Sequence, residues 1–140
     1  ENTKKARLKK GMRGFLSFLS EKAVKKALVT NNSRENVDFL LQKFDLKFDC
    51  VISREGGLWK PSGAPFVEVL NRLGLKKKEV AVVGDSLFDL KAGREAGIER
   101  IFLISRDEKM FVGTEAEVFP TVRALHQRIE QLLDQDCGRS

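Results

Sequence analysis

An α/β fold, with helices covering both faces of a parallel sheet, is the architecture this sequence predicts. Three observations carry the prediction. Short continuous apolar runs recur along the 140-residue chain, segments with helical spacing of apolar residues separate them, and Gly, Asn or Ser punctuates the junctions. Continuous apolar runs mark strands covered on both faces, and their alternation with helices is the pattern of βα units.

The elements follow in order. Met12, Phe15, Leu16 and Leu19 fall at i, i+3, i+4 and i+7, one face of an amphipathic helix. "KALVT" (26–30) is a short strand, broken by "NNSR". Val37, Leu40, Leu41 and Phe44 repeat the helical spacing, and Asn32 with Glu35 reads as the capping pair that starts this helix. "FDCVIS" (48–53) is the next strand, ended by "REGG". Phe66, Val69, Leu70 and Leu73 mark a third helix, whose first turn tolerates Pro65 and which stops near Gly74. "EVAVVGD" (79–85) is the most apolar strand, and the helix after it closes by Gly97. "RIFLIS" (100–105) is another strand; "AEVF" (116–119) is a short one before a last helix on Leu125, Ile129, Leu132 and Leu133.

The totals limit the function classes. A chain of 140 residues suits one domain with a core of its own, and 41% hydrophobic with 33% charged residues reads as globular. No apolar run approaches the roughly 18–20 residues of a membrane span, and no secretory leader or fixed-period repeat is visible. Cys50 lies in an apolar run and Cys137 in a polar tail, with no Cys-x-x-Cys, so the expected compartment is reducing and cytoplasmic. Ten Lys and Arg against two acidic residues give residues 1–34 a net +8, which leaves −2 for the remainder of a chain whose total is +6. That basic end matches no nucleic-acid motif and reads as a solvated face. His126, the only histidine, reads as a surface or packing residue. The chain opens on Glu1 rather than Met, as expected of a processed, trimmed or partial product.

Open parallel sheets bind ligands at the carboxyl ends of their strands, and three such ends carry polar residues. After "KALV", Thr30, Asn31 and Asn32 can hold an anion's oxygens, or can form an ordinary strand-to-helix turn. In "LWKPSGAPF", Pro61 biases Lys60 toward extended backbone, where its ammonium can neutralise a phosphate or simply face solvent. In "AVVGDSLFDLKAGREAG", Asp85 ends a strand and Asp89 lies one helical turn beyond. Two carboxylates there suit Mg²⁺, which takes one or two protein carboxylates with waters and substrate phosphate; the alternative makes Asp85 an N-cap and Asp89 a first-turn charge.

Taken together and in this order, "ALVTNN", "WKPSGAPF" and "VVGDSLFDLKAGREAG" resemble the haloacid dehalogenase superfamily of phosphohydrolases, most closely its phosphoglycolate-phosphatase-like branch. The resemblance runs from about Gly11 to the last helix. It implies a three-layer α/β/α Rossmann-like core. It also implies a Mg²⁺-dependent phosphatase acting on a small phosphorylated metabolite through an aspartyl-phosphate. Thr30 and Asn31 would hold the transferring phosphoryl group, Lys60 would support nucleophile and phosphate, and Asp85 would ligate Mg²⁺ with Asp89 assisting. Gly63 is a small departure, since many relatives carry a second proline there.

The large departure is that no predicted strand ends in Asp-x-Asp: the one such spacing in the chain, Asp134 and Asp136, lies in the polar tail beside Cys137. In the family, an opening strand ending in that motif supplies the nucleophile and the general acid/base, and the cap that selects substrate follows it. Asp45 and Asp49 cannot substitute, because a strand follows Asp49 instead of ending there. The family's nucleophile strand lies between the Thr30 and Asp85 strands. Its loss removes three or four buried side chains at ~2 kcal/mol each and bares two strand edges. The expectation is therefore a single core domain over residues 1–140, incomplete at its N-terminus and inactive alone. An upstream segment, or a second copy in a homodimer, would complete its sheet. A non-catalytic module that binds phosphate and Mg²⁺ or serves as an interaction partner is the alternative.

Overall fold

The structure is a computed structural model and describes residues 8–56, 62–107, 109 and 113–137. Its elements are α1 (Met12–Glu21), β1 (Ala27–Val29), α2 (Arg34–Lys43), β2 (Cys50–Ile52), α3 (Ala64–Leu73), β3 (Val82–Gly84), α4 (Leu87–Glu95), β4 (Ile101–Ile104), β5 (Glu117–Phe119) and α5 (Val122–Cys137). Every predicted strand and helix is present. The strands are shorter than their apolar runs: Lys76 N–H donates to Glu79 Oε1 and Glu79 N–H to Lys76 O, both at 2.9 Å, around a 3-10 turn at Lys77–Glu79, so "EVAVVGD" pairs only at Val82–Gly84.

β4 is the centre of a three-layer core. Alternate side chains of a strand point to opposite faces. Ile101 and Leu103 join Val82, Leu90, Ala96 and Ile98 on the α4 side, with Phe66 of α3 packed against them. Phe102 joins Phe15 of α1 and Val122 and Leu125 of α5 on the other side, backed by Ile104. Burying one such side chain is worth about 1.5–3 kcal/mol. His126 takes the packing role, its ring 5.5 Å from that of Phe15 and 4.7 Å from that of Phe18.

All strand pairs are parallel, but they form two separate ladders, β1–β2 and β3–β4–β5. α3 spans both. Val69 and Leu73 pack on Ala27, Val29, Cys50 and Ile52 of the first ladder, while Phe66 packs on the core of the second. β1 and β3 each end a ladder, and both lack the burial of β4. No residue of β1 is fully buried, and Val83 in β3 is 39% exposed. Val82 N–H donates to Arg100 O at 2.9 Å, so by the alternation of a strand the backbone of Val83 faces away from β4. Thus β4, rather than the more apolar "AVVGD" run, is the most enclosed strand.

Gly63 has a local reason that favours neither alanine nor proline. A Cβ there would lie 2.6 Å from Ala96 N and 2.8 Å from Glu95 C, and its N–H donates to Glu95 Oε2 at 3.1 Å. The start of α3 therefore touches the end of α4 directly.

Candidate functional site

Each candidate residue that lies within the described structure follows the carboxyl end of a strand. Thr30 comes directly after β1, at the end of the first ladder; its N–H donates to Ile52 O of β2 at 3.0 Å. Its Oγ1 accepts from Asn32 N–H at 3.1 Å, which folds Thr30–Asn32 into a tight turn with Asn31 exposed at its middle. The helix cap is Ser33, whose side chain accepts from Asn36 N–H at 3.2 Å. This corrects the predicted Asn32–Glu35 pair: Asn32 donates back to Thr30, and its carbonyl accepts from Arg54 N–H at 2.9 Å, so it belongs to the turn.

Glu55 reaches the same place from β2. Its Oε2 accepts from Arg34 N–H, the first backbone donor of α2, at 2.7 Å. That bond, then the residue's own backbone N–H, with help from the Ser53 hydroxyl and the charge of Arg54, holds the Glu55 carboxyl below its ordinary value of 4.5. Nothing local in the sequence marks Glu55, because its partner lies 21 positions away.

At the second ladder the cap of α4 is Ser86, whose Oγ accepts from Asp89 N–H at 3.3 Å. The capping role the sequence offered to Asp85 therefore belongs to its neighbour. Asp89 is only 6% exposed. Its Oδ2 accepts from Asp85 N–H at 3.2 Å and from Ser86 Oγ–H at 3.0 Å. The backbone makes room for it: a Cβ on Gly84 would lie 2.4 Å from both Cβ and Cγ of Asp89. Asp85 itself is exposed, and its carboxylate makes no hydrogen bond or ion pair among the described residues.

Lys60 and Trp59 lie outside the described residues. Among the described residues no group of three or more His, Cys, Asp or Glu gathers to hold a metal ion. The donor set is thus one exposed carboxylate with a buried one beneath it, which fits Mg²⁺ in its usual low-protein coordination and does not fit a closed structural metal site. Cavities of about 330 Å³ beside Lys25, Lys26 and Asp49 and about 410 Å³ beside Arg94, Ile98 and Ile101 open at the opposite, amino ends of the strands. There Asp49 Oδ2 accepts from Lys26 N–H at 2.8 Å, at the amino end of β2 and away from the strand ends that carry the candidate residues.

Comparison with known proteins gives a consistent set of relatives. The family described as haloacid dehalogenase-like hydrolase matches residues 1–103. The pyrophosphatase PpaX of Halalkalibacterium halodurans is 33% identical over 92 residues, 64% of this chain and 43% of that protein. A phosphoglycolate phosphatase of Aquifex aeolicus is 33% identical over 85 residues, 59% of this chain and 40% of that protein. The crystal structure of a haloacid dehalogenase superfamily hydrolase from Ehrlichia chaffeensis superposes with a TM-score of 0.78 at 25% identity, covering 91% of this chain and 60% of that one. The chain spans about two-fifths of the length of the curated relatives it matches. No helix among the described residues is long and apolar enough to cross a membrane.

Proposed function

The chain belongs to the haloacid dehalogenase-like hydrolase family, and from that premise we propose that it is the phosphate- and Mg²⁺-holding part of a phosphatase of small phosphate monoesters. The observation that carries the reading is Asp85. The sequence offers it a helix cap, Ser86 takes that cap, and Asp89 is buried under the turn. Among the described residues Asp85 is left with its carboxylate unspent at a strand end.

In this reading Asp85 holds Mg²⁺ and Asp89 supports it from below by fixing the turn at Asp85–Ser86. When bound, Mg²⁺ offsets charge on the phosphoryl oxygens and aligns the phosphate for in-line attack. Thr30 Oγ1 already accepts a bond from Asn32 N–H, which leaves its O–H to donate to a phosphoryl oxygen. Asn31 lies beside it, and Lys60 adds a positive charge to the same group. Preorganised donors and charge of this kind lower the barrier to phosphoryl transfer.

The attacking carboxylate is not among these residues. We assign it to a strand that pairs with the outer edges of β1 and β3 and joins the two ladders. That strand comes from a segment outside residues 1–140; a second copy of the chain would fill the sheet but bring no attacking carboxylate. Residues 1–140 are then one core domain that binds phosphate and Mg²⁺ in a cytoplasmic setting without turning over.

Two measurements test this. The chain alone should leave p-nitrophenyl phosphate intact, and Mg²⁺ should raise the melting temperature of wild type but not of Asp85→Asn. At a Mg²⁺ concentration 100 times the dissociation constant, the stabilisation expected is about 2.7 kcal/mol. Rapid hydrolysis by the isolated chain, or equal Mg²⁺ stabilisation of Asp85→Asn, contradicts the reading.

A further inference from the structure

We propose that Glu55 is a positioning residue for phosphoryl binding: it locks the Thr30–Asn32 turn to the end of β2 without touching the ligand. The inference rests on the phosphatase reading of that turn and deepens it.

Backbone and side-chain bonds tie the segment after β1 to the end of β2. Thr30 N–H donates to Ile52 O at 3.0 Å, Arg54 N–H to Asn32 O at 2.9 Å, and Arg34 N–H to Glu55 Oε2 at 2.7 Å. The first belongs to the ladder and the second ties the turn's own backbone. The third is made by a side chain, and it reaches past the turn to the first residue of α2. Together with the Ser33 cap it fixes the α2 flank of the turn, while the Thr30–Ile52 bond fixes the β1 flank. A carboxylate accepting from a backbone N–H at a helix N-terminus is a charge-assisted bond in a favourable field, and its 2.7 Å length and the depressed Glu55 carboxyl agree with that.

The geometry has a second consequence. The leading N–H of α2 is the donor that a helix N-terminus would present to an anion, and Glu55 has taken it. In the proposal the phosphoryl group is held by the turn itself, so its affinity follows the fraction of molecules in which the turn is correctly set. Loss of the lock lowers that fraction while leaving Thr30 and Asn31 in place.

The test uses the 140-residue chain, with inorganic phosphate in excess Mg²⁺ as the probe, followed through the Thr30 and Asn31 amide signals. Glu55→Ala should weaken phosphate about tenfold, and Glu55→Gln, whose amide oxygen still accepts from Arg34 N–H, about threefold. Hydrogen exchange at the Arg54 amide should quicken in Glu55→Ala while the Leu103 amide in β4 keeps its protection, since the lock is local. Phosphate affinity in Glu55→Ala within twofold of wild type overturns the proposal, as does equal acceleration of Arg54 and Leu103, which would make Glu55 a general stabiliser. Wild type that binds phosphate beside an indifferent Glu55→Ala sinks this inference alone. Wild type with no phosphate response at Thr30 and Asn31 sinks the phosphatase reading and this inference with it.

Discussion

Replacing Gly84 with alanine probes the packing beneath Asp85 most sharply. The added Cβ would stand 2.4 Å from Asp89 Cβ and Cγ and 2.5 Å from Oδ2. These are not the loose end of a long side chain. Cβ and Cγ sit at the root of a residue that is 6% exposed and bonded to Asp85 N–H and Ser86 Oγ–H. Relief therefore requires Asp89 to swing out or β3 to move. Overpacking of this kind costs about 1–3 kcal/mol, and losing a hydrogen bond to a charged acceptor adds about 1.5–3 kcal/mol. Because one movement forfeits part of each, we expect about 3 kcal/mol, a large share of the roughly 5–15 kcal/mol that holds a domain together. Urea unfolding of the four proteins in a Gly84→Ala and Asp89→Ala cycle measures it. In the Asp89→Ala background the clashing atoms beyond Cβ are gone, so the cost of Gly84→Ala should fall by more than 1 kcal/mol, a coupling of the size expected for residues in contact. Equal cost in both backgrounds, or a cost under about 0.5 kcal/mol in the first, refutes the reasoning.

Other outcomes follow from the same geometry. Ser86→Ala removes the α4 cap that accepts from Asp89 N–H and should cost about 1 kcal/mol by thermal melting, within the usual 0.5–2 kcal/mol for a lost cap. Gly63→Ala forces a Cβ into backbone atoms of Glu95 and Ala96 on α4 and should destabilise by at least as much as Gly84→Ala, read by the same urea titration. Glu55 has a folded carboxyl below its ordinary 4.5. It therefore contributes stability that is present above that value and lost as pH falls through the depressed one. Melting curves of wild type should converge on those of Glu55→Gln as the pH is lowered below about 4.5 and stay apart above it. A strand-forming peptide or a second copy should bind the bared edges of β1 and β3, so the chain should run as more than a monomer in sedimentation at high concentration.

How much of this was legible in the sequence depends on how local the cause was. α3 could be read from its apolar spacing and its stop at Gly74, which has φ of 65° and so favours glycine. β4 was legible because "RIFLIS" is continuous and both of its faces are buried. The cap of α2 was misplaced by one residue, Ser33 for Asn32, and the alternative that made Asp85 a cap fails because Ser86 caps α4; Ser, Asn and Asp share the same capping chemistry, and tertiary partners choose among them. Arg54 N–H, reaching across from β2, drew Asn32 into the turn. The strand in "AVVGD" was overrated, since its hydrophobicity exceeds its burial wherever no neighbour covers Val83. Glu55 was missed for the same reason that it matters: its effect lies across 21 positions of chain. Lys60, which the sequence placed in the site, lies outside the described residues.

A titration of wild-type chain with inorganic phosphate in excess Mg²⁺, read by the amide signals of Thr30, Asn31 and Asp85 at once, bears most directly on whether these strand ends share a pocket. One pocket predicts that the signals on the two ladders move together along a single binding curve, and that Lys60→Ala shifts that curve as a whole. Signals at Thr30 and Asp85 that follow separate curves, or that leave Asp85 unmoved while Thr30 responds, would contradict the account.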